Sequence, residues 1–312
     1  MSTFAIINPR SANSHTARAW PDIERGLRHL YPQMNVGFTR ARGHATALVR
    51  AALAEGYTEI VAVGGDGTIN EAVNGFFDPS GPLAPEATFA FVSSGTGGDF
   101  RKTFDIAPGT MAGIERLKGS HVRPVDIGRV TCLGMDGTPA VRHFINIASF
   151  GLPGVIVDAV NRARIAKLFG GGFAFAFHSM VNMAFYRDRV VRLHIDDVYD
   201  EIDKVSTVAI ANGRYFGGGM KVAPDAKPDD GAFDIIVMGG ATKLRALSDF
   251  RQLYDGSHVN NPTVRVVRGK KLVAAPVSET KGRAVLIETD GENAGRLPAT
   301  FEILPRALNL RC

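Results

Sequence analysis

The residues with the clearest chemical potential lie in a glycine-rich stretch, GGDGT, at residues 64–68. This stretch follows the apolar run EIVAV and precedes a helix-like segment. Glycine amides at the end of a strand usually bind phosphate, because their N–H groups point outward and no Cβ blocks an anion. Asp66 would repel a bare phosphate, so we expect it to contact a hydroxyl or a metal ion. A tight turn in which Asp66 caps the next helix explains the same residues equally well.

A second glycine loop, SGTGGD at residues 94–99, also follows a buried apolar run. It contains Thr96 and Asp99 and is followed by Arg101 and Lys102. Neither loop has the GxxxxGK[ST] or GxGxxG spacing of the common nucleotide motifs. Parallel sheets bind ligands beyond the carboxyl ends of their strands. Two such loops therefore indicate one shared site rather than two unrelated turns.

The elements that must position these loops alternate between strands and helices up to residue 124. This alternation predicts a parallel sheet covered by helices on both faces. In the second helix we expect one apolar face, and Gly56 should end that helix. The face should contain Ala47, Leu48, Ala51 and Ala52.

Beyond residue 124, short strand-like runs are separated by turn signals, and MDGTP is typical of a hairpin. This pattern predicts an antiparallel β-sandwich domain. The fold class is therefore an α/β N-terminal domain with a parallel sheet, joined to an antiparallel β-domain. The expected domains are 1–124 and 125–295, with a C-terminal segment at 296–312 that could return to the first domain.

Composition restricts the class of protein. The chain has 312 residues, 45% hydrophobic and 21% charged, which favours a globular protein. Two cysteines without a CxxC spacing disfavour a disulfide framework or a zinc site. The N-terminus shows no signal-peptide pattern, so we expect a cytoplasmic protein. A net charge of +5 is compatible with an anionic partner, but no basic block with interleaved aromatics indicates nucleic acid.

One segment, residues 161–189, interrupts the β-pattern. Phe173, Phe177 and Met180 recur at helical spacing, and basic residues bracket them. The run is too polar and too short to span a membrane. It favours either a peripheral contact with the inner membrane surface or an ordinary core helix.

Taken together, the motifs resemble the diacylglycerol kinase catalytic family, which includes sphingosine and ceramide kinases. GGDGTINE and SSGTGGDF carry the resemblance, and IINPRS, TRARGHA, RPVDIG and ETDGENAG occur in the family's order. The segment IANGRYFGGGMKVAPDAKPDDGAFD is also similar to the family's, so that the resemblance covers nearly the whole chain. NAD kinases, which share the GGDGT loop, are a more distant likeness.

The resemblance implies an ATP- and Mg²⁺-dependent kinase that phosphorylates the hydroxyl of diacylglycerol or a related lipid. It places ATP in a cleft between the two domains. The residues implied to hold the nucleotide are Asn8, Ser11, Thr39, Gly64, Gly65, Asp66, Gly67, Thr68, Ile69, Asn70, Thr96 and Asp99. No nucleic acid partner is implied, and a homodimer is left open.

Carboxylates are needed for the chemistry, because phosphoryl transfer uses a cation and usually a base. Asp66, Asp290 and Glu292 are the catalytic candidates. Spacing of two puts Asp290 and Glu292 on one side of an extended segment, although TDGEN also fits a plain turn. The resemblance implies that one of them is the base and that the other supports the metal or phosphate network.

Two metal sites are also implied. Asp126 matches a family acid near the metal–water network. In the AKPDDGAFD segment, Lys227, Asp230 and Ala232 match residues that hold a structural Mg²⁺ through one carboxylate and backbone carbonyls. Hard oxygen ligands suit such a cation, and an ordinary Asp-Gly turn is the alternative.

One residue departs from the family pattern. Gly98 stands where the family usually has asparagine, in G-T-G-N-D. Gly98 motivates one alternative to the lipid kinase, a nucleotide-binding protein that has lost catalysis. The other alternative, an NAD kinase-like enzyme, rests on the shared GGDGT loop.

Overall fold

The computed structural model describes residues 2–94, 98–119, 121–162, 186–240, 251–278 and 284–312. The chain forms two compact units. Unit 1 comprises Met1–Ile127 together with Pro305–Cys312, and unit 2 comprises Gly128–Leu304. The sequence placed the first domain boundary near residue 124, close to the end of the first segment of unit 1 at Ile127. It placed the second boundary near residue 296, earlier than the return to unit 1 at Pro305.

Unit 1 contains a parallel sheet in the order β2–β1–β3–β6. Its strands are β1 (Thr3–Ile7), β2 (Asn35–Phe38), β3 (Glu59–Gly64) and β6 (Thr88–Ser93). Every residue of β3 and β6 is buried, which explains their unbroken apolar runs. A small hairpin of β4 (Phe77–Asp78) and β5 (Gly81–Pro82) lies between them in sequence.

The helices of unit 1 are α1 (Ser11–Leu30), α2 (His44–Ala54), α3 (Asp66–Gly75), α4 (Asp99–Thr103) and α5 (Thr110–Gly119). Helices α1 and α5 pack against the same side of the sheet, where Leu27 and Ile114 share a core with Val61. Residues 12–14 of α1 have left-handed φ/ψ angles, so its regular helix begins after them.

The expected apolar face of α2 was only partly right, since Ala52 is buried and Leu48 half-buried as expected. The buried residues are Ala45, Val49 and Ala52, whereas Ala47 and Ala51 are exposed. Alanine side chains are small, so the faces of α2 differ little in hydrophobicity. The buried face instead follows Ala45, Val49 and Ala52, which are spaced four and three residues apart. The end of the helix was predicted correctly, since Gly56 follows it with φ of +86°.

Unit 2 is the expected antiparallel β-sandwich. Its strands, two of which extend into unit 1, are β7 (Val122–Leu133), β8 (Pro139–Phe144), β9 (Ile147–Gly151), β10 (Arg189–Ile195), β11 (Tyr199–Val205), β12 (Thr207–Ala211), β13 (Phe233–Met238), β14 (Val264–Gly269), β15 (Lys271–Pro276), β16 (Leu286–Thr289) and β17 (Glu292–Arg311). One run of neighbours is β14–β13–β12–β9–β16–β17, and another is β11–β10–β15–β17. In the core of unit 2, Phe144 stacks on Phe233, and Phe150 stacks on Phe301.

Several elements of unit 2 were not expected. Strand β11 is largely polar, and among the described strands it pairs with β10 alone. It is therefore an edge strand there, and its sequence shows little apolar alternation. Strand β15 was also missed. Helix α6 (Leu152–Arg162) follows β9 directly, and a short helix, Gln252–Asp255, precedes β14 together with a 3₁₀ turn, Ser257–Asn260. The hairpin at MDGTP is present between β7 and β8.

Strand β17 belongs to both units. Its early residues pair with β16 and β15 in unit 2, and Asn309 and Leu310 pair in parallel with β6 in unit 1. The last residues of the described chain thus extend the parallel sheet of unit 1.

Candidate functional site

Polar side chains meet at the carboxyl ends of β1 and β3 in unit 1. Asn8 follows β1, and its Nδ2 donates a hydrogen bond to Thr68 Oγ1 at 2.9 Å. Gly64 ends β3, and a Cβ there would lie 2.5 Å from Thr68 Oγ1, so only glycine allows this approach. The structure therefore brings together two of the residues predicted to hold a nucleotide.

A cluster of hydroxyl groups adjoins this pair. Ser11 Oγ donates to Asn8 O at 2.8 Å and lies 2.6 Å from Thr16 Oγ1 and 3.0 Å from Ser94 Oγ. Thr39 joins the same edge, since its backbone N–H donates to Ile7 O at 2.9 Å. Asn8, Ser11, Thr39 and Thr68 are thus gathered at one end of the sheet, whereas Thr96 lies outside the described residues.

Asp66 differs from the expectation of a loop residue, because it is the first residue of α3. It does not cap its own helix: Gly65 is the N-cap residue, without a side-chain cap hydrogen bond. Asp66 Oδ2 instead accepts the backbone N–H of Asp99 at 3.1 Å, which ties the first glycine loop to the second.

The second carboxylate oxygen of Asp66 makes it a candidate for ligand binding. Oδ1 is buried and has no hydrogen-bond partner among the described residues. Burial, and then the nearby Asp99 carboxylate, raise the pKa of Asp66 above its usual value. A buried oxygen of this kind is costly unless a donor or a cation reaches it.

The second loop ends in a conformation that restricts its residues. Gly98 has φ of +58°, the left-handed region that glycine and, next best, asparagine adopt. A Cβ at residue 98 would lie 2.6 Å from Arg101 Nε, so an asparagine here requires Arg101 to move. Asp99 is buried and pairs with Lys102 at 2.9 Å.

Glu71 contributes to this site but was missed by the sequence analysis. Its Oε1 accepts the N–H of Gly43 at 2.8 Å, and its Oε2 accepts that of Ala45 at 3.2 Å. The carboxylate of α3 thereby caps the N-terminus of α2, and Thr46 Oγ1 also donates to Glu71 O at 2.7 Å. The only sequence signal was the position of Glu71 in GGDGTINE.

Two predicted nucleotide residues, Ile69 and Asn70, lie inside unit 1. Ile69 is 1% exposed and Asn70 is 6% exposed. The Ile69 side chain therefore belongs to the core, and only its backbone could face a ligand.

In unit 2, Asp290 anchors a turn. Its Oδ1 accepts the N–H groups of Asn146 at 3.1 Å and Ile147 at 2.9 Å, and its Oδ2 accepts that of Ile145 at 3.0 Å. The carboxylate thus fills the gap between β8 and β9. Glu292 is half-buried and begins β17.

Glu288 lies beneath this turn and was also missed. It is 2% exposed, its Oε2 accepts the N–H of Gly291 at 2.9 Å, and Ser149 Oγ donates to its Oε1. Burial raises the pKa of Glu288 to about 7. In the sequence Glu288 is only a polar residue within a strand. Its role depends on Ser149, a partner that only the folded chain defines.

The expected metal residues of unit 2 lie before β13. Asp230 Oδ1 accepts the N–H of Ala232 at 3.2 Å, and its Oδ2 lies 2.5 Å from Arg268 Nη2. Arg268 also pairs with Asp234 at 3.3 Å, and Lys227 is exposed. Within the described ranges, no group of three or more His, Cys, Asp or Glu side chains is arranged to hold a metal ion.

Asp126 is fully buried in unit 1. Its Oδ1 accepts the backbone N–H of Arg306 at 2.7 Å, so this acid connects β7 with the returning strand β17. The apolar segment around Phe173 lies outside the described residues. Among the helices that are described, none has the length and apolar character needed to cross a membrane.

Two family models match the chain. Residues 2–130 match the diacylglycerol kinase catalytic domain, and residues 146–312 match the YegS C-terminal NAD kinase beta sandwich-like domain. The chain belongs to the family of the YegS C-terminal domain, whose model spans more than half of it, and its N-terminal part matches the diacylglycerol kinase catalytic domain. It is therefore a member of a lipid kinase family and an enzyme of the phosphotransferase class.

Relatives of this family resemble the chain over almost its whole length. A diacylglycerol kinase of Staphylococcus haemolyticus is 28% identical over 308 residues, covering 98% of this chain and 86% of the relative. One from Staphylococcus aureus is 27% identical over 308 residues, covering 98% and 90%.

Solved structures show the same fold. A Bacillus anthracis protein described as a candidate diacylglycerol kinase has a TM-score of 0.75 and 26% identity, covering 99% of this chain and 96% of that one. Yeast NADH kinase, solved with NADH, has a TM-score of 0.53 and 11% identity, covering 100% and 83%. The second likeness concerns the fold alone.

Proposed function

We propose that this lipid kinase transfers the terminal phosphoryl group of ATP to the hydroxyl of diacylglycerol or a related lipid, with Mg²⁺ bound. The observation that carries the proposal is the Asp66 carboxylate. One of its oxygens ties the two glycine loops together, and the other is buried without a partner in the described structure. The family relatives support the acceptor, since those compared are named diacylglycerol kinase.

The nucleotide would bind at the carboxyl ends of β1, β3 and β6. Hydroxyl groups of Ser11 and Thr68 and the amide of Asn8 lie there together, and they suit a polyanion. The first turn of α3 adds N–H groups that a helix leaves without intrahelical partners. Gly64, Gly65 and Gly67 would let phosphates approach the backbone, and Thr39, Asn70, Thr96 and Asp99 would complete the set.

The residues present fit a hard cation. Asp66 Oδ1 offers an anionic oxygen, and Asp126 is the further acid proposed for the same network. A bound Mg²⁺ neutralises charge on the transferring phosphoryl group. In unit 2, Asp230 with the carbonyls of Lys227 and Ala232 offers the oxygen donors that Mg²⁺ prefers, provided that Arg268 yields Asp230 Oδ2.

Glu292 is the proposed general base. Both oxygens of Asp290 already accept backbone N–H groups, so Asp290 is better suited to fixing the turn. The Glu292 carboxylate would accept the proton of the lipid hydroxyl as that oxygen bonds to phosphorus, and ADP would leave.

The protein would act as a cytoplasmic enzyme peripheral to the inner membrane surface. The motivation is the Phe173–Met180 run with its basic brackets, and co-sedimentation with liposomes tests it. We expect binding to increase with anionic lipid and to weaken in Phe173→Glu. Binding that ignores both changes would exclude this membrane contact.

The kinase proposal is tested with radiolabelled ATP, Mg²⁺ and diacylglycerol in mixed micelles. The parent should label the lipid, and Asp66→Asn should abolish transfer while thermal unfolding stays parent-like. Asp78→Asn is the matched control, because Asp78 is an acid of the same unit that accepts hydrogen bonds from Ser80 and Gly81 in its own turn. Transfer to NAD instead of lipid would identify an NAD kinase-like enzyme. ATP binding without transfer to any lipid in a total extract would identify a protein without catalysis.

A further inference from the structure

A buried carboxylate lies directly beneath the turn that leads to the proposed base. Glu288 is in β16, opposite Ser149 of β9 on one side and Asn293 of β17 on the other. It is 2% exposed, so it cannot reach a lipid hydroxyl or a nucleotide as a base would. Any effect of Glu288 on catalysis must therefore come through the residues that it contacts.

Both oxygens of Glu288 have definite partners. Oε2 accepts the N–H of Gly291 at 2.9 Å, and Oε1 accepts the hydroxyl of Ser149. The second contact fixes the direction of the carboxylate from the neighbouring strand. The first reaches the residue immediately before Glu292.

The turn needs such support because of its backbone. Asp290 has φ of +49° and Gly291 has φ of +84°, two successive residues in the left-handed region. A non-glycine residue persists there only when surrounding contacts hold it. Asp290 is held through Ile145, Asn146 and Ile147, whereas Gly291 is held through Glu288.

We propose that Glu288, oriented by Ser149, is a positioning residue for Glu292. The inference rests on the proposed role of Glu292 as base. Glu288 fixes the N–H of Gly291, and this sets where β17 begins and where the Glu292 side chain starts. Hydrogen bonds, and not the charge of Glu288, carry the effect.

Two substitutions separate geometry from charge. Glu288→Gln keeps the shape: its carbonyl oxygen can accept from Gly291, and its amide can donate to Ser149 Oγ. Glu288→Ala loses both hydrogen bonds. We expect kcat to fall roughly 10- to 100-fold in Glu288→Ala, the range seen when a partner that orients a reacting group is removed. The KM for ATP should stay parent-like, since the proposed nucleotide residues lie in unit 1, and Glu288→Gln should restore most of kcat.

Hydrogen exchange gives a readout that does not depend on activity. The Gly291 amide should exchange slowly in the parent and in Glu288→Gln, and faster in Glu288→Ala. Ser149→Ala should lower kcat as Glu288→Ala does, since Ser149 orients the Glu288 carboxylate. Ile287→Val is the matched control: it removes one methyl group from the adjacent buried position of β16 without touching the turn. Ile287→Val should lower stability slightly and leave kcat parent-like.

The outcomes separate this inference from the proposed function. If the parent transfers no phosphoryl group to lipid, the proposed function fails, and the exchange rates still report on the hydrogen bond from Gly291 to Glu288. A Gly291 amide that stays slow in Glu288→Ala overturns the positioning role whatever the activity is. So does a Glu288→Gln variant as impaired as Glu288→Ala, or an Ile287→Val variant that loses as much kcat.

Discussion

Asp290 and Glu292 are separated by one residue, yet the structure gives their carboxylates different surroundings. Asp290 accepts three backbone N–H groups that would otherwise lie unpaired between β8 and β9. Removing a charged acceptor from several donors leaves each with a desolvation penalty. The stability of unit 2 should therefore depend on Asp290 more than on Glu292.

The amide variants should show this division. Glu292→Gln should lower lipid turnover by roughly 100- to 10,000-fold, the usual contribution of a general base, with ATP binding and thermal unfolding unchanged. Asp290→Asn should lower the free energy of unfolding, by about 1 to 3 kcal/mol for the weakened acceptor. Turnover assays and denaturant unfolding of both variants show which residue serves catalysis and which serves stability. If Asp290→Asn is stable but inactive and Glu292→Gln is active, the roles are exchanged.

Glu288 should also make stability depend on pH. The folded protein raises the pKa of Glu288 from 4.5 to about 7, so between these values the native state retains a proton that the unfolded state has lost. The contribution of Glu288 to stability is therefore present at low pH and is lost as the pH rises through this window. The loss is on the order of 3 kcal/mol.

Urea unfolding between pH 4.5 and 8 tests this dependence. Glu288→Gln should remove most of the decline seen in the parent, since the amide does not titrate. Equal slopes in the two proteins would show that the Glu288 pKa is not raised.

The residues of the candidate site differed in how far the sequence could predict them. Asn8, Ser11, Thr39 and Thr68 were implied by the family resemblance, and the structure gathers them because parallel strands end at one edge. Glu71, Glu288 and Ser149 could not be predicted in their roles. Each acts through a hydrogen bond to a residue distant in sequence, and only the folded chain defines that partner.

At the level of elements, α3 and α2 are joined by a cap that neither supplies alone. Glu71 of α3 accepts the N–H groups of Gly43 and Ala45 at the start of α2. A helix N-terminus without its cap loses about 0.5 to 2 kcal/mol. Because Thr39 lies just before α2, loosening the cap should also disturb the proposed nucleotide edge.

Glu71→Ala tests this cap. The free energy of unfolding should fall by about 0.5 to 2 kcal/mol, and the KM for ATP should rise. Glu55→Ala at the opposite end of α2 is the control, since Glu55 is exposed and should leave both quantities near the parent values. A Glu71→Ala variant with parent-like stability and KM would contradict the cap.

Elements with continuous apolar runs were the most predictable. Strands β3 and β6 and the hairpin at β7–β8 occur where the sequence placed them. The polar edge strand β11 and the buried face of α2 were not recovered, because an edge strand needs no apolar face and an alanine-rich helix shows little contrast between its faces. The fold class followed from the alternation itself, which survives errors in single elements.

At the scale of the whole molecule, a buried ion pair holds the returning strand in unit 1. Arg311 donates through Nε at 2.6 Å and Nη2 at 3.1 Å to the two oxygens of Glu59, and Tyr31 also donates to Glu59. Glu59 is 0% exposed. Removing one member of such a pair leaves an uncompensated buried charge.

Arg311→Ala should therefore lower the free energy of unfolding by about 3 to 5 kcal/mol. Arg25→Ala is the comparison, because its pair with Asp22 is exposed at 79% and 70%, and exposed pairs contribute about 0 to 1 kcal/mol. Denaturant unfolding of both variants provides the measurement. Equal effects would show that the Glu59 pair does not secure β17 to unit 1.

The return of β17 to unit 1 also affects the order of events during protein synthesis. The ribosome releases residues 1–127 long before residues 305–312, and all of unit 2 is translated between them. During that interval Glu59 lacks Arg311, and β6 lacks the strand segment that contains Asn309 and Leu310. The nascent N-terminal unit therefore waits with an exposed sheet edge and with Glu59 lacking its guanidinium partner, and its folding is completed only after the sandwich has left the exit tunnel.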